Sequence, residues 1–301
     1  MNLTPMARNL LTTLVGGAVV LLAACQSGPD TAGPRPDAAG SAATATPPAS
    51  PPARAATDAE LTAPQRLTVL ADTLPSTPGD STTTLPYAYL HTQTWNRATN
   101  TIVRTDLQRW RHTGNHSGRD VIRTAPDLRG VHRQPTRPER SLFDDAEPRT
   151  IRYRPGELHP PLPETFPADP DTLIAHLVPP ELAAEPAYPR LLVDSVVRLA
   201  TDSYLDQQQR AATLNVLAAV PGITYRGTTT DLAGRTGMSF QVVADRSTST
   251  LIIDPVTGEL LSAAEQVDGP RPGLFKFVLV LARGHSATDH DLPSTPGSKV
   301  R

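Results

Sequence analysis

The sequence predicts an α+β fold in which an antiparallel, curled sheet packs on a few helices. Tyr87, Tyr89, His91, Gln93 and Trp95 alternate with Ala88, Leu90, Thr92 and Thr94, the period-2 pattern of a strand. Between Leu191 and Ala218 the apolar period changes to that of two helices. From Ile223 to Leu281 short apolar segments return, separated by Asp, Gly and Pro turns. Strands, then helices, then strands with tight connections specify an antiparallel sheet with segregated helices rather than repeated βαβ units.

Taken in order, residues 58–74 carry a short helix with Leu67, Val69, Leu70 and Leu74 on one side. After the polar loop 75–84 comes the Tyr87–Trp95 strand, a turn at 96–100, and a second strand, 101–111, with Ile102, Val103, Leu107 and Trp110. The cluster Thr113 to Gly118 turns the chain into a third strand, 119–124, giving a meander. Residues 125–168 are rich in Pro, Arg and acids and read as an irregular surface loop, with only Thr150–Tyr153 strand-like.

Asp169-Pro170-Asp171 opens a helix to Leu177 with an acidic first turn that suits the helix dipole. The next helix starts near Pro189, and Leu191, Leu192, Val196, Leu199 and Ala200 share a face. Its successor starts at Asp206, which with Gln209 forms a capping-box-like pair. Ala211, Leu214, Leu217 and Ala218 make the apolar side of that helix, and Pro221-Gly222 stops it.

The closing sheet comprises 223–230, the alternating strand of Met238, Phe240, Val242 and Ala244, then Leu251–Ile253, 259–267 and the apolar run 274–281. The turn Asp254-Pro255-Val256-Thr257-Gly258 places Pro early and Gly where φ is positive. The polar tail 285–301 is expected to be disordered.

Ahead of this domain, 58–284, lie two segments of a different kind. The apolar run Leu10 to Ala24 is too short to span a membrane comfortably and suits the core of a signal peptide, 1–24. It ends in Leu22-Ala23-Ala24-Cys25, which resembles a bacterial lipobox, and Cys25 is the only cysteine of the chain. Diacylglyceryl on Cys25 would supply the two chains that stable anchoring needs. The expected location is therefore the extracytoplasmic face of the cell membrane. Residues 25–57, with seven prolines among Ala, Thr, Ser and Gly, read as a disordered, semi-extended tether.

Composition narrows the classes further. With one cysteine there is no internal disulfide, so the core relies on packing. The 28 basic residues include only two lysines, Lys276 and Lys299. Net charge is −2, yet residues 91–154 hold 13 Arg against seven acids, while 155–301 hold 11 basic against 17 acidic residues. The basic part suits anionic lipid or a cell-wall polymer or, as the favoured reading, the acidic part of its own domain, and an exported chain does not point to nucleic acid.

Several segments together are similar to an uncharacterised family of actinobacterial membrane-anchored or exported proteins, often encoded near extracytoplasmic-function sigma factors. They are Trp110-Arg111, Tyr153 to Leu158, Asp169 to Ala175, Val216 to Ile223, Asp231 to Gly237 and Leu251 to Leu261. The match covers roughly residues 85–267 and departs at the anchor, where many members carry a transmembrane helix. The resemblance brings no catalytic residue with it. In outline the expected fold is half-barrel and lipoprotein-carrier-like, which is an analogy of fold alone.

Candidate chemistry is sparse. Tyr87, Tyr89, His91 and Trp95 form the face with most promise as a ligand groove between sheet and helices, against the alternative of aromatic pairing within the sheet. His112 and His116 flank a turn, and His285, Asp289, His290 and Asp291 cluster near the end, but a zinc site needs rigid convergent ligands. No metal or cofactor is expected. Gly284-His285-Ser286-Ala287-Thr288 lacks the second glycine and the following helix of a nucleophile elbow. Asp144 and Asp145 are adjacent on a loop and read as a solvated acidic turn. The expected function is non-enzymatic binding or sensing of an apolar ligand or an envelope protein. The alternative is a cell-envelope hydrolase or metal-dependent enzyme that uses the histidines.

Overall fold

The computed structural model describes residues 61–75, 80, 85–130, 133–158 and 169–293. The expectations for the signal peptide, Cys25 and the tether lie outside these residues. Within them the fold is α+β: a nine-stranded, wholly antiparallel sheet with four α-helices. In chain order the elements are α1 (Ala63–Thr73), β1 (Tyr87–Arg97), β2 (Thr101–His112), β3 (Gly118–Arg129) and β4 (Arg149–Tyr153). Then come α2 (Pro170–Leu177), α3 (Tyr188–Asp202), α4 (Gln207–Ala218), β5 (Thr224–Thr230), β6 (Thr236–Ala244), β7 (Ser247–Ile253), β8 (Leu260–Val267) and β9 (Gly273–Ser286). Two 3-10 turns, Arg137–Phe143 and Pro180–Leu182, lie between them.

The strand order β4-β3-β2-β1-β9-β8-β7-β6-β5 is two meanders joined in the middle. The chain starts at the centre, walks out to the β4 edge, crosses over through α2–α4 to the β5 edge, and walks back. The last strand, β9, pairs with the first, β1. The sheet is open and not curled into the expected half-barrel: β4 and β5 stay apart as its edges.

Local chemistry explains the helix ends. Thr62 and Gln65 form a capping box on α1, Asp169 caps α2 through the Thr172 N–H, and Asp206 and Gln209 form the box on α4. The helices pack on one face of the sheet. Leu67 and Leu70 of α1, Leu192 and Val196 of α3, and Leu214 and Leu217 of α4 meet Leu90, Phe240, Leu251, Ile253, Val278 and Val280 in one buried cluster. The stripe expected on α4 is too narrow. Arg210, Ala212, Thr213 and Val216 are buried as well, because α1 and α2 pack on α4 besides α3. Arg210 is 1 % exposed; it donates to both Asp80 carboxylate oxygens at 2.9 and 3.0 Å and to the Thr257 carbonyl at 2.9 Å.

Two further expectations are corrected. The loop 125–168 is less irregular than its composition suggests. β3 runs on to Arg129, the turn Arg137–Phe143 is helical, and β4 pairs with β3. The tail expected from 285 onward begins as sheet: β9 continues through His285 and Ser286, which are 7 % and 3 % exposed. Residues beyond it fold back over the other face of the sheet. The Trp110 indole donates to the Asp291 carbonyl at 2.8 Å, and Arg119 donates to the Asp289 carbonyl at 3.3 Å. Polar composition suggested a free tail, but backbone carbonyls there serve buried aromatic and arginine donors.

Candidate functional site

The face of the sheet away from the helix cluster is where polar chemistry collects. The β1–β2 hairpin sets Tyr89 opposite Trp110, His91 opposite Gln108, Gln93 opposite Asp106 and Trp95 opposite Arg104. The β2–β3 pairing sets Arg123 opposite Asp106 and Ala125 opposite Arg104. Because opposite residues share a face, this register alone assembles His91, Gln93, Asp106, Gln108 and Arg123 into one polar patch.

Aromatic clusters close the patch on two sides. Trp95 packs edge-on against Phe143 and Phe277, with ring centroids 5.8 and 5.4 Å apart, and Tyr89 packs on Trp110 at 4.9 Å. The turn Arg137–Phe143 lies over the patch as a lid. Between lid and sheet is a cleft of about 550 Å3, lined on the lid side by Arg137, Arg140, Ser141, Phe143 and Asp144, and at one wall by Leu281 of β9.

The lid is fastened at two points. Phe143 is 1 % exposed among the aromatics. Glu139 accepts hydrogen bonds from the Thr136 N–H at 2.6 Å, the Thr136 hydroxyl at 2.7 Å and both terminal nitrogens of Arg133, and Arg104 stands at 3.8 Å. Burial alone would raise the Glu139 carboxyl, but the hydrogen bonds from Arg133 and Thr136 hold it below the usual carboxylate range. Burial lowers the Arg104 guanidinium, which Glu139 partly restores.

At the floor, Asp106 is 4 % exposed. Its carboxylate binds His91 Nε2 at 2.8 Å and accepts from the Gln93 amide at 2.9 Å, with Arg123 at 4.0 Å. Burial, then the Asp106 charge, push the Tyr89 phenol up to about 12. Two residues lining this cleft have a buried polar atom without a hydrogen-bond partner, Gln93 Oε1 and Arg140 Nε, and the neighbouring cross-strand pair Trp95 and Arg104 has one each; five more such atoms lie elsewhere among the described residues. A buried polar atom left unpaired costs about 1–3 kcal/mol, and the two in the lining of the cleft are within reach of what enters it.

Of the four groove candidates, only His91 lines the cleft. Tyr89 and Trp95, 2 % and 1 % exposed, are its closed aromatic walls, and Tyr87 packs edge-on against His112 at 5.0 Å. The face they define points away from the helix cluster, so the groove expected between sheet and helices is not lined by them. His112 Nδ1 accepts the N–H groups of Gly114 and Asn115, which makes it a staple of its own turn, and His116 sits at φ 56° in that turn. His285 packs edge-on against Tyr204 with ring centroids 4.4 Å apart, and the Ser286 hydroxyl donates to the Thr288 carbonyl. Among the described residues no three His, Cys, Asp or Glu side chains converge to hold a metal ion.

Asp106, Gln108, Arg123 and the lid arginines escaped the sequence reading. A signal existed: the turn at 98–100 fixes the hairpin register, and with it the pairing of Gln93 with Asp106. A second depression, about 720 Å3, opens at the end of the sheet near Arg97, Arg129 and Arg271. There Arg97 and Arg271 donate to backbone carbonyls of each other's turns, so those guanidiniums already brace the loops.

Compared with known proteins, the chain matches no family model and no curated sequence.

Proposed function

We propose that this chain is a non-enzymatic binding protein, lipid-anchored through Cys25 at the extracytoplasmic face of the cell membrane, whose domain takes a small polar ligand into the cleft beneath the lid. The observation that carries this reading is the group of unpaired polar atoms around a cleft of ligand size. The relation to actinobacterial membrane-anchored or exported proteins belongs to the same proposal and rests on the quoted motifs.

A carrier-like half-barrel would hold an apolar ligand between sheet and helices. That layer is filled by the main core, and the depression between α3 and the sheet measures about 20 Å3, room for about one water. The ligand chemistry we propose therefore changes from apolar to polar. Native mass spectrometry of the full chain, purified from its own host, is expected to show a small polar molecule released on denaturation. Recovery of an acyl or isoprenoid lipid from the domain would overturn the reading. For the anchor, Cys25→Ala is expected to move the protein out of the membrane fraction.

A second reading, an envelope hydrolase, draws on one contact. His91 Nε2 lies 2.8 Å from Asp106, which orients the ring as a general base would need. Ser141 lines the same cleft, but its hydroxyl donates to the Pro138 carbonyl at 2.9 Å within the lid. A base without a free nucleophile favours binding over acyl transfer.

A further inference from the structure

The cleft beneath the lid carries more information than its size. Two of its arginines, the exposed Arg137 and the half-buried Arg140, have no side-chain hydrogen bond and no carboxylate within ion-pair distance among the described residues, and Arg140 Nε is buried without a partner. The acid at the floor does not neutralise them, because Asp106 is already engaged by His91, Gln93 and, more distantly, Arg123. Asp144 is the only other acid in the lining, and it sits exposed at the rim. Guanidinium groups without a partner of their own select carboxylate or phosphate oxygens, since a planar fork of donors matches them.

Gln93 supplies the complementary half. Its side-chain orientation is fixed by chemistry: the amide nitrogen must face the Asp106 carboxylate, since the reverse would set oxygen against oxygen. That leaves Oε1 as a buried acceptor with no donor, on a residue 5 % exposed. A hydroxyl or amino group on the ligand satisfies it; an ester or an alkyl chain does not.

Resting on the binding reading above, we infer that the ligand is a small organic anion that also carries a hydroxyl or amino donor, with its charge toward Arg137 and Arg140 and its donor toward Gln93. Sugar acids, hydroxy acids and sugar phosphates have this chemistry.

Isothermal titration of the full chain with matched probes tests it: galacturonate against galactose, and glucose 6-phosphate against glucose, with inorganic phosphate alone as the third arm. At least one charged sugar is expected to bind ten-fold or more tightly than its neutral partner and more tightly than inorganic phosphate. Arg140→Gln is expected to weaken that probe ten-fold or more. Gln93→Met, which keeps the volume and removes the acceptor, is expected to weaken the charged sugar while leaving any binding of inorganic phosphate unchanged. A melting temperature within about 2 °C of the parent shows that either variant still folds. Equal affinity for charged and neutral sugars would overturn the anion assignment while leaving a binding cleft. Inorganic phosphate binding as tightly as the sugar phosphate would overturn the donor requirement. No binding of any probe at millimolar concentration would overturn the inference.

Discussion

The two faces of the sheet are built on opposite terms. On the helix face, 28 buried residues from four helices, five strands and the connections beside them form one continuous apolar cluster. On the other face the apolar residues divide into two small aromatic clusters, one around Trp95 and Phe277, the other around Tyr89 and Trp110, with a polar cleft between them. The first arrangement maximises burial. The second holds unpaired donors and acceptors that weaken the fold locally, the usual relation between a stable scaffold and a binding site.

The largest effect expected from breaking this contrast lies on the helix face. Leu217 is 2 % exposed in the main cluster, and Leu217→Ala is expected to cost about 2–5 kcal/mol in a chemical or thermal melt. A melt unchanged by that substitution would mean that the helix layer is not the principal core.

How much of each face was legible follows the same division. The helix face was largely readable because helical stripes and capping residues are local: the Asp206–Gln209 box and the Pro255–Gly258 turn sit where the sequence placed them. Its failure was Arg210, a charge in the buried side of α4, whose partner Asp80 is 130 positions away. The cleft was hardly readable, since its floor comes from three strands and its roof from a Pro- and Arg-rich segment with no periodicity. Alternation correctly placed Tyr89, His91 and Trp95 on one face, but alternation does not say which layer that face meets.

A smaller effect is expected at the fastening of the lid. The Glu139 carboxyl titrates lower in the folded protein than unfolded, so its contribution is complete above the unfolded value of about 4.3 and fades as pH falls through the folded one. Glu139→Gln is expected to cost about 1.5–3 kcal/mol at neutral pH, because it leaves the buried Arg104 without its countercharge. The parent's loss of stability below about pH 4 should flatten in this variant. Identical pH profiles for the two proteins would detach Glu139 from the lid's stability.

At alkaline pH the aromatic wall is expected to show itself. Tyr89 titrates near 12 rather than 10, so its contribution is intact below about pH 10 and is lost as pH rises toward 12. Tyr89→Phe is expected to be nearly neutral at pH 7 and to reduce the alkaline destabilisation by up to roughly 2 kcal/mol. An unchanged alkaline limb would place the buried phenol elsewhere.

The smallest expected effect separates the two faces most sharply. Gln93→Met removes one hydrogen bond to Asp106 and, with it, one buried acceptor that has no donor. A net hydrogen bond contributes about 0.5–1.5 kcal/mol, and an unsatisfied buried group costs about 1–3 kcal/mol, so the two changes nearly offset each other. Asp106 keeps His91 and the nearby Arg123, so no buried charge is stranded. Stability is therefore expected to stay within about 1 kcal/mol of the parent, although Gln93 is as buried as the core leucines whose truncation costs several times more. A loss above about 2 kcal/mol would mean that the Gln93 amide holds the sheet together, and the polar floor would then be structural rather than a place kept ready for a ligand.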